Sequence, residues 1–374
     1  MHDSSGERLR VSYLLTCAEG EDPAVKAQDI ALEQTVELPP ACLPVEIAER
    51  IVGRVEVLEE SGASRWRAVL SYDPVTCGDE FPQLLNLLFG NISLKSGILL
   101  ADIELPSSLL TRLAGPRYGI EGIREIGGAG ERRPLLCSAL KPLGLSAARL
   151  AEISFQLALG GIDLIKDDHS LANQTTAPFK ERVERCQEAV AKANGLTGGN
   201  SLYLPNLLGS SSTLQERLDH IRSTGCKGIL LSPFLLGLDT ARAIAETSGL
   251  AIFAHPSLAG AYFHESHGIA PEVMLGQLFR LIGSDAVVYP NVGGRFAFSE
   301  STCRAINANL RKAWGSLRRS FPMPGGGLHV AQIPYWIERY GVDTIFLIGG
   351  SLYAQSDLAQ AGRRLLKAVR RHSQ

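Results

Sequence analysis

From Pro134 onward the hydrophobic positions repeat one arrangement: a short apolar run, a polar or glycine-rich turn, then apolar residues spaced three and four apart. The runs are Leu135–Leu140, Ile162–Lys166, Leu202–Leu204, Gly228–Leu231, Leu250–Ala254, Ala286–Tyr289, a weaker Phe321–Pro324, and Thr344–Ile348. Each is short and bounded by turn residues, which predicts a strand buried on both faces. Between the runs, Leu150, Ile153 and Leu157 share one helical face, and Val183, Cys186, Val190 and Ala193 share another. Thr213-Leu214-Gln215-Glu216 has the capping-box form of a helix start. Further helical patterns cover Asp239–Thr247, Pro271–Ile282, Ser299–Trp314, His329–Tyr340 and Tyr353–Arg371. Repeated βα units with near-continuous apolar strands predict an α/β fold, a (β/α)8 TIM barrel, over residues 126–374.

The first 125 residues follow a different pattern. Leu9–Cys17 alternates loosely as a strand does, and Pro23–Glu33 reads as a helix with proline in its first turn. Ile51–Leu58 and Trp66–Tyr72 are strands joined by a glycine-containing hairpin, Phe81–Phe89 is a helix, and Gly97–Leu105 returns as a strand. The order βαββαβ predicts a ferredoxin-like N-terminal α+β domain over residues 1–125. Gly115-Pro116 and the glycines at 127, 128 and 130 mark the linker.

Composition narrows the function classes. The 374 residues are 45% hydrophobic, which permits a large core, and 37 Lys and Arg against 39 Asp and Glu make no electrostatic case for nucleic acid or an anionic membrane. The seven cysteines include no CxxC pair, which predicts reduced thiols without a disulfide framework. Met1–Gly6 lacks a basic-then-apolar signal pattern and no apolar run reaches membrane-span length, so a cytoplasmic location is expected.

In such a barrel the chemistry belongs at the C-terminal ends of the strands. Those ends read Lys141-Pro142; Lys166-Asp167-Asp168-His169; Pro205-Asn206; Ser232-Pro233; His255; Tyr289-Pro290-Asn291 with Gly293-Gly294-Arg295; Gly325-Gly326-Gly327; and Gly349-Gly350-Ser351. On a strand Lys166 and Asp168 share one face and Asp167 takes the other. The cluster reads as a metal site of Lys166, Asp168 and His169. Lys166 is either a salt-bridged structural lysine or a lysine whose amine carries CO2 as a carbamate. The carbamate would make an oxygen-rich site for Mg2+, whereas His169 suits Mn2+ or another divalent ion better. Lys141, if desolvated in the mouth, suits proton transfer. The glycines at 326, 327, 349 and 350, with Arg295, form a candidate phosphate site, although glycines also serve simply as tight turns. Glu33 and Asn91 are polar residues at helix ends, where a solvated end for Glu33 and a C-cap for Asn91 are the preferred readings from the residues alone. His264-Glu265-Ser266-His267 lacks HExxH spacing and fits substrate contact or plain structure.

The ordered set is specific where its members are not. Lys166-Asp167-Asp168-His169 resembles the KDDE motif of the RuBisCO large subunit, and Lys141-Pro142-Leu143-Gly144-Leu145 resembles its KPKLGL stretch. Gly90-Asn91, Glu33-Gln34-Thr35, Gly294-Arg295, the Gly325 run and Gly349-Gly350 fall in the right order along essentially the whole chain. The resemblance implies a carbamylated lysine at Lys166, a metal-ligand aspartate at Asp168, a proton-handling lysine at Lys141 and an active-site histidine at His255. It implies that Glu33 and Asn91 reach the barrel of a neighbouring subunit in a homodimer with shared sites.

The departures point away from CO2 fixation. His169 replaces a metal-ligand glutamate, the second lysine of KPK is absent, and Pro256 stands where a phosphate-binding arginine follows the histidine. The strand-six histidine position holds Tyr289 or Pro290, and Arg295 stands for the mobile-loop lysine. Arginine stays protonated and is a poor substitute in proton chemistry. The expectation is a RuBisCO-like, metal-dependent enzyme that forms an enediolate from a monophosphorylated keto sugar or sugar acid. A decarboxylase (a lyase) of a 3-oxo sugar-acid phosphate is the favoured reaction. The alternatives are an enolase or isomerase of a methylthio-ribulose-type phosphate, or a non-catalytic binding or regulatory protein on the same scaffold.

Overall fold

The structure, a computed structural model, describes residues 6–128, 132–296 and 298–373. Gly130 of the expected linker lies outside the described residues. The chain divides into two compact units: the chain up to Leu113 with Ala259–Gln277 and Trp314–Leu317, and Ala114–Leu258 with Leu278–Ala313 and the remainder from Arg318.

The first unit is built on a five-stranded sheet. Leu9–Thr16 pairs antiparallel with both Arg65–Tyr72 and Ile98–Glu104, and Arg54–Gly62 pairs with Arg65–Tyr72 at the sheet edge. This is the ferredoxin-like arrangement, with helices Pro23–Glu33 and Phe81–Phe89 between the strands. Asp22 caps the first helix by accepting from the Ala24 N–H, and Pro23 occupies its first turn, where a missing N–H costs nothing. The fifth strand is only Gly268–Ile269, which pairs parallel with Ile98–Glu104. Two residues carry no periodicity, so this strand is invisible in the sequence. The expected helix Pro271–Ile282 is α-helical at Pro271–Val273 and Phe279–Leu281, with a π-helical stretch at Met274–Leu278 between them.

The second unit holds an eight-stranded parallel sheet. Its strands in chain order are Leu135–Leu140, Leu164–Asp167, Leu202–Leu204, Gly228–Leu231, Ala251–Ala254, Ala286–Pro290, Phe321–Gly325 and Ile345–Leu347. Every sequence-derived run falls on one of them. The eighth pairs with the first, and the third meets the fourth through the Asn206–Leu230 bridge, which brings the sheet round into a barrel. Alternate residues fill the interior: Leu135 and Cys137, Leu164, Leu202 and Leu204, Leu230, Ala251 and Phe253, Ala286 and Val288, Phe321 and Met323, and Ile345. Ile120 and Ile123 of helix Gly119–Ile126 join the same core, so this helix belongs to the barrel and the change of unit comes at Leu113, earlier than the sequence placed it. Asp285 secures that helix by accepting from the N–H groups of Tyr118 (2.6 Å) and Gly119 (2.7 Å). No helix among the described residues is long and apolar enough to cross a membrane.

Candidate active site

Strand parity decides which motif residues face inward. Leu164 lies in the barrel core, so Lys166 and Asp168 continue its face and Asp167 points the other way. Asp167 is fully buried against the outer helix Phe179–Thr197, where its carboxylate accepts from Arg182 Nε (3.1 Å), the Tyr203 hydroxyl (2.8 Å) and the Asn206 N–H (3.0 Å). Its charge is thereby neutralised away from the mouth, and Asp168 is the aspartate of the motif left for chemistry.

Asp168 sits between two nitrogen groups. Its Oδ2 lies 3.0 Å from Lys141 Nζ, and its Oδ1 lies 2.8 Å from His169 Nδ1. Burial alone would raise its pKa, but the His169 hydrogen bond and the charges of Lys166 and Lys141 hold the carboxyl well below the usual carboxylate range. Lys166 is almost completely buried and donates to the Asp167 carbonyl at 2.8 Å. Burial lowers its ammonium below the ordinary lysine range; Lys141 adds to the effect and Asp168 opposes it. Lys141 differs from expectation. It is not desolvated, its side chain keeping 46% exposure beside Asp168. The desolvated amine of the site is Lys166, because the strand carries it inward while Lys141 stands past the end of its own strand.

His255 closes the cluster. Its ring stacks on His169 with centroids 4.3 Å apart and planes 4° from parallel, and its Nδ1 lies 2.9 Å from Ser257 Oγ. Burial holds its imidazole well below the ordinary value, and the charge of Lys166 reinforces this. Lys141, Lys166, Asp168, His169 and His255 thus converge from three strand ends.

The glycine segments lie on neighbouring strand ends. Gly327 meets Gly293 backbone to backbone: a Cβ on Gly327 would stand 2.9 Å from the Gly293 carbonyl carbon. Gly349 and Gly350 border open space at the start of the short helix Gly350–Tyr353. Arg295 is exposed, with its guanidinium 5.8 Å from the Phe296 ring centroid. Glu33 and Asn91 belong to the other unit and bond each other, Asn91 Nδ2 donating to Glu33 Oε1 at 3.3 Å. Lys95 joins them, 3.1 Å from Glu33, and the sequence offered no signal for it. His267 bonds the Ser93 carbonyl and His264 that of Ala261, so this pair has structural partners.

The residues were tested for a divalent cation by their donor chemistry. Among the described residues no three His, Cys, Asp or Glu side chains gather around one point. Asp168 and His169 supply two donors, and Lys166 supplies the third only when its amine carries CO2. Its buried, depressed amine suits that conversion, since the neutral form is the nucleophile. With that change the set would offer two oxygen donors suited to Mg2+, beside an imidazole that suits Mn2+ or another divalent ion better.

Comparison with known proteins agrees with this fold. The family model for the ribulose bisphosphate carboxylase large chain, catalytic domain, matches residues 120–371. The 5-methylthioribulose-1-phosphate isomerase of Rhodospirillum rubrum is 42% identical over 94% of this chain and 93% of its own. The 2,3-diketo-5-methylthiopentyl-1-phosphate enolase of Geobacillus kaustophilus is 34% identical over 96% and 91%. Among solved structures, a Rubisco-like protein from Rhodopseudomonas palustris superposes with a TM-score of 0.89 at 40% identity, covering 98% of this chain and 99% of its own. An octameric RuBisCO from Pyrococcus horikoshii gives 0.90 at 28% identity, covering 98% and 88%.

Proposed function

The chain belongs to the ribulose bisphosphate carboxylase large-chain family, and we propose that it is a RuBisCO-like isomerase acting by proton transfer on a methylthio-ribulose-type phosphate. The observation that carries the reading is the half-exposed Lys141 ion-paired to Asp168 above the buried Lys166, within a chain 42% identical to a 5-methylthioribulose-1-phosphate isomerase. The relatives support this reaction, or the closely related enolisation, over the decarboxylation that the sequence favoured.

Isomerisation next to a carbonyl requires a proton to leave one carbon and return to another, with negative charge held on oxygen in between. Lys141 is the proton-handling group: it is anchored by Asp168 yet keeps access to the mouth. Lys166 as carbamate, Asp168 and His169 would hold Mg2+, with Mn2+ as a substitute, and the ion supplies positive charge opposite the developing oxyanion. His255, packed flat on His169, orients that ring. The backbone N–H groups around Gly326, Gly327, Gly349 and Gly350, with Arg295, receive the phosphate. The proposed assembly is a homodimer in which Glu33 and Asn91 serve the neighbouring subunit's site. The octameric Pyrococcus horikoshii relative supports self-association.

The test is incubation with 5-methylthioribulose 1-phosphate in D2O with Mg2+ and bicarbonate, followed by proton and phosphorus NMR. An isomeric phosphate carrying solvent deuterium is expected, and loss of turnover in Lys141→Met. CO2 release from 3-oxo sugar-acid phosphates, without any isomerisation, would overturn the assignment.

A further inference from the structure

Asp168 and His169 open an irregular segment that runs to Pro178, where helix Phe179–Thr197 begins. An irregular segment holds a fixed geometry only if its backbone groups find partners. Two buried side chains from outside the segment supply them. Asn206 Nδ2 donates to the His169 carbonyl at 2.9 Å and to the Leu171 carbonyl at 3.0 Å. Arg182 donates from Nη2 to the Ala172 carbonyl at 2.9 Å and from Nη1 to the Ala177 carbonyl at 3.0 Å, while its Nε faces Asp167. Asn206 is fully buried and the Arg182 side chain has 0% exposure, so no solvent competes for these bonds.

The two clamps share a foundation. Asp167 accepts from Arg182 and from the Asn206 N–H, which ties the second strand, the end of the third and the outer helix together. A third group, the Tyr203 hydroxyl, bonds the same carboxylate at 2.8 Å but donates no hydrogen bond to the segment's backbone. An arginine on the stripe shared by Cys186, Val190 and Ala193 is otherwise out of place, because burying a guanidinium is costly unless it is fully bonded.

We propose that Asn206 and Arg182 are positioning residues that hold segment 168–177, and with it the Asp168 carboxylate and the His169 imidazole, in their working arrangement. The proposal rests on the reading of Asp168 and His169 as site residues. Neither clamp reaches substrate; each acts through the backbone of the segment.

The experiment compares Asn206→Ala, Arg182→Lys and Tyr203→Phe in the full chain. Lysine keeps the charge opposite Asp167 but lacks the fork that reaches Ala172 and Ala177. Amide hydrogen exchange across residues 168–177 is expected to quicken about tenfold or more in the first two variants and to stay within about twofold in Tyr203→Phe. With 5-methylthioribulose 1-phosphate, kcat should fall about tenfold or more in the first two variants while KM stays within about threefold. Tyr203→Phe should lower the melting temperature and leave kcat within about twofold, because it weakens the network without freeing the segment. Unchanged exchange in Asn206→Ala would overturn the proposal, as would a Tyr203→Phe kcat loss matching the others at a similar melting shift. If Arg182→Lys does not fold, Asn206→Ala decides. If the wild type turns over no methylthio-ribulose phosphate, the function proposed above fails and exchange alone decides the positioning role.

Discussion

Replacing Gly327, Gly326 and Gly350 one at a time by alanine separates glycines that the backbone needs from a glycine that a ligand needs. Gly327 has φ +68°, and an added Cβ would lie 2.9 Å from the Gly293 carbonyl carbon and 3.0 Å from its oxygen. The left-handed backbone costs about 1–2 kcal/mol for an L-residue. Pressing a methyl into the facing backbone adds about 1–3 kcal/mol, because backbone cannot swing aside as a flexible side chain can. Gly327→Ala should therefore lose about 2–5 kcal/mol. Gly326 has φ +90° but its nearest neighbour, Gly294 Cα, is 3.6 Å away, so the backbone term alone remains, about 1–2 kcal/mol. Gly350 opens a short helix with no atom within 4 Å of the added methyl and no left-handed strain, so its alanine variant should be neutral or gain up to about 1 kcal/mol. Thermal and urea unfolding rank the three. Kinetics then test the proposed phosphate site: Gly350→Ala should raise KM for 5-methylthioribulose 1-phosphate while stability holds, because the added methyl would intrude on the backbone N–H groups proposed to receive the phosphate. Equal stability of Gly327→Ala and Gly350→Ala would refute the packing argument. An unchanged KM in Gly350→Ala would remove that glycine from the phosphate site.

Asp168→Asn removes the charge between Lys141, His169 and Lys166, and divalent-ion binding by calorimetry should weaken with kcat falling about a hundredfold. Undiminished binding would exclude Asp168 as a ligand. His255 has a folded pKa well below its ordinary value. Its contribution to stability is present above the unfolded value of about 6.5 and is lost as pH falls below it, since the unfolded chain takes up the proton first. Urea unfolding of wild type should weaken between pH 7 and pH 5, and His255→Asn should show a flatter slope over that window; identical slopes would contradict the burial argument. Asp285→Asn places an amide among the N–H donors of Tyr118, Gly119 and Ile252. At least one donor then loses its acceptor, and unfolding stability should drop by about 1–3 kcal/mol.

Much of the scaffold was legible in the residue pattern. Short apolar runs buried on both faces and helices with apolar stripes are local, repeated signals. The order of strand ends followed from them, and so did the placing of Lys166 with Asp168 and of Asp167 on the opposite face. Gly268–Ile269 escaped because two residues have no period, and its partner strand lies far away in sequence. Helix Gly119–Ile126 read as linker because its allegiance is decided by Ile120 and Ile123 entering the barrel core.

The sequence by itself determined which residue types stand at the barrel mouth and how they are spaced. Only the tertiary structure decided their environments. It buried Lys166 and left Lys141 half exposed, stacked His255 on His169, and paired the outward Asp167 with Arg182. The physical reason is that periodicity records which side of a strand a residue occupies. The pKa of a lysine and the freedom of a carboxylate depend on neighbours brought from other strands and helices, and on how far water is excluded between them.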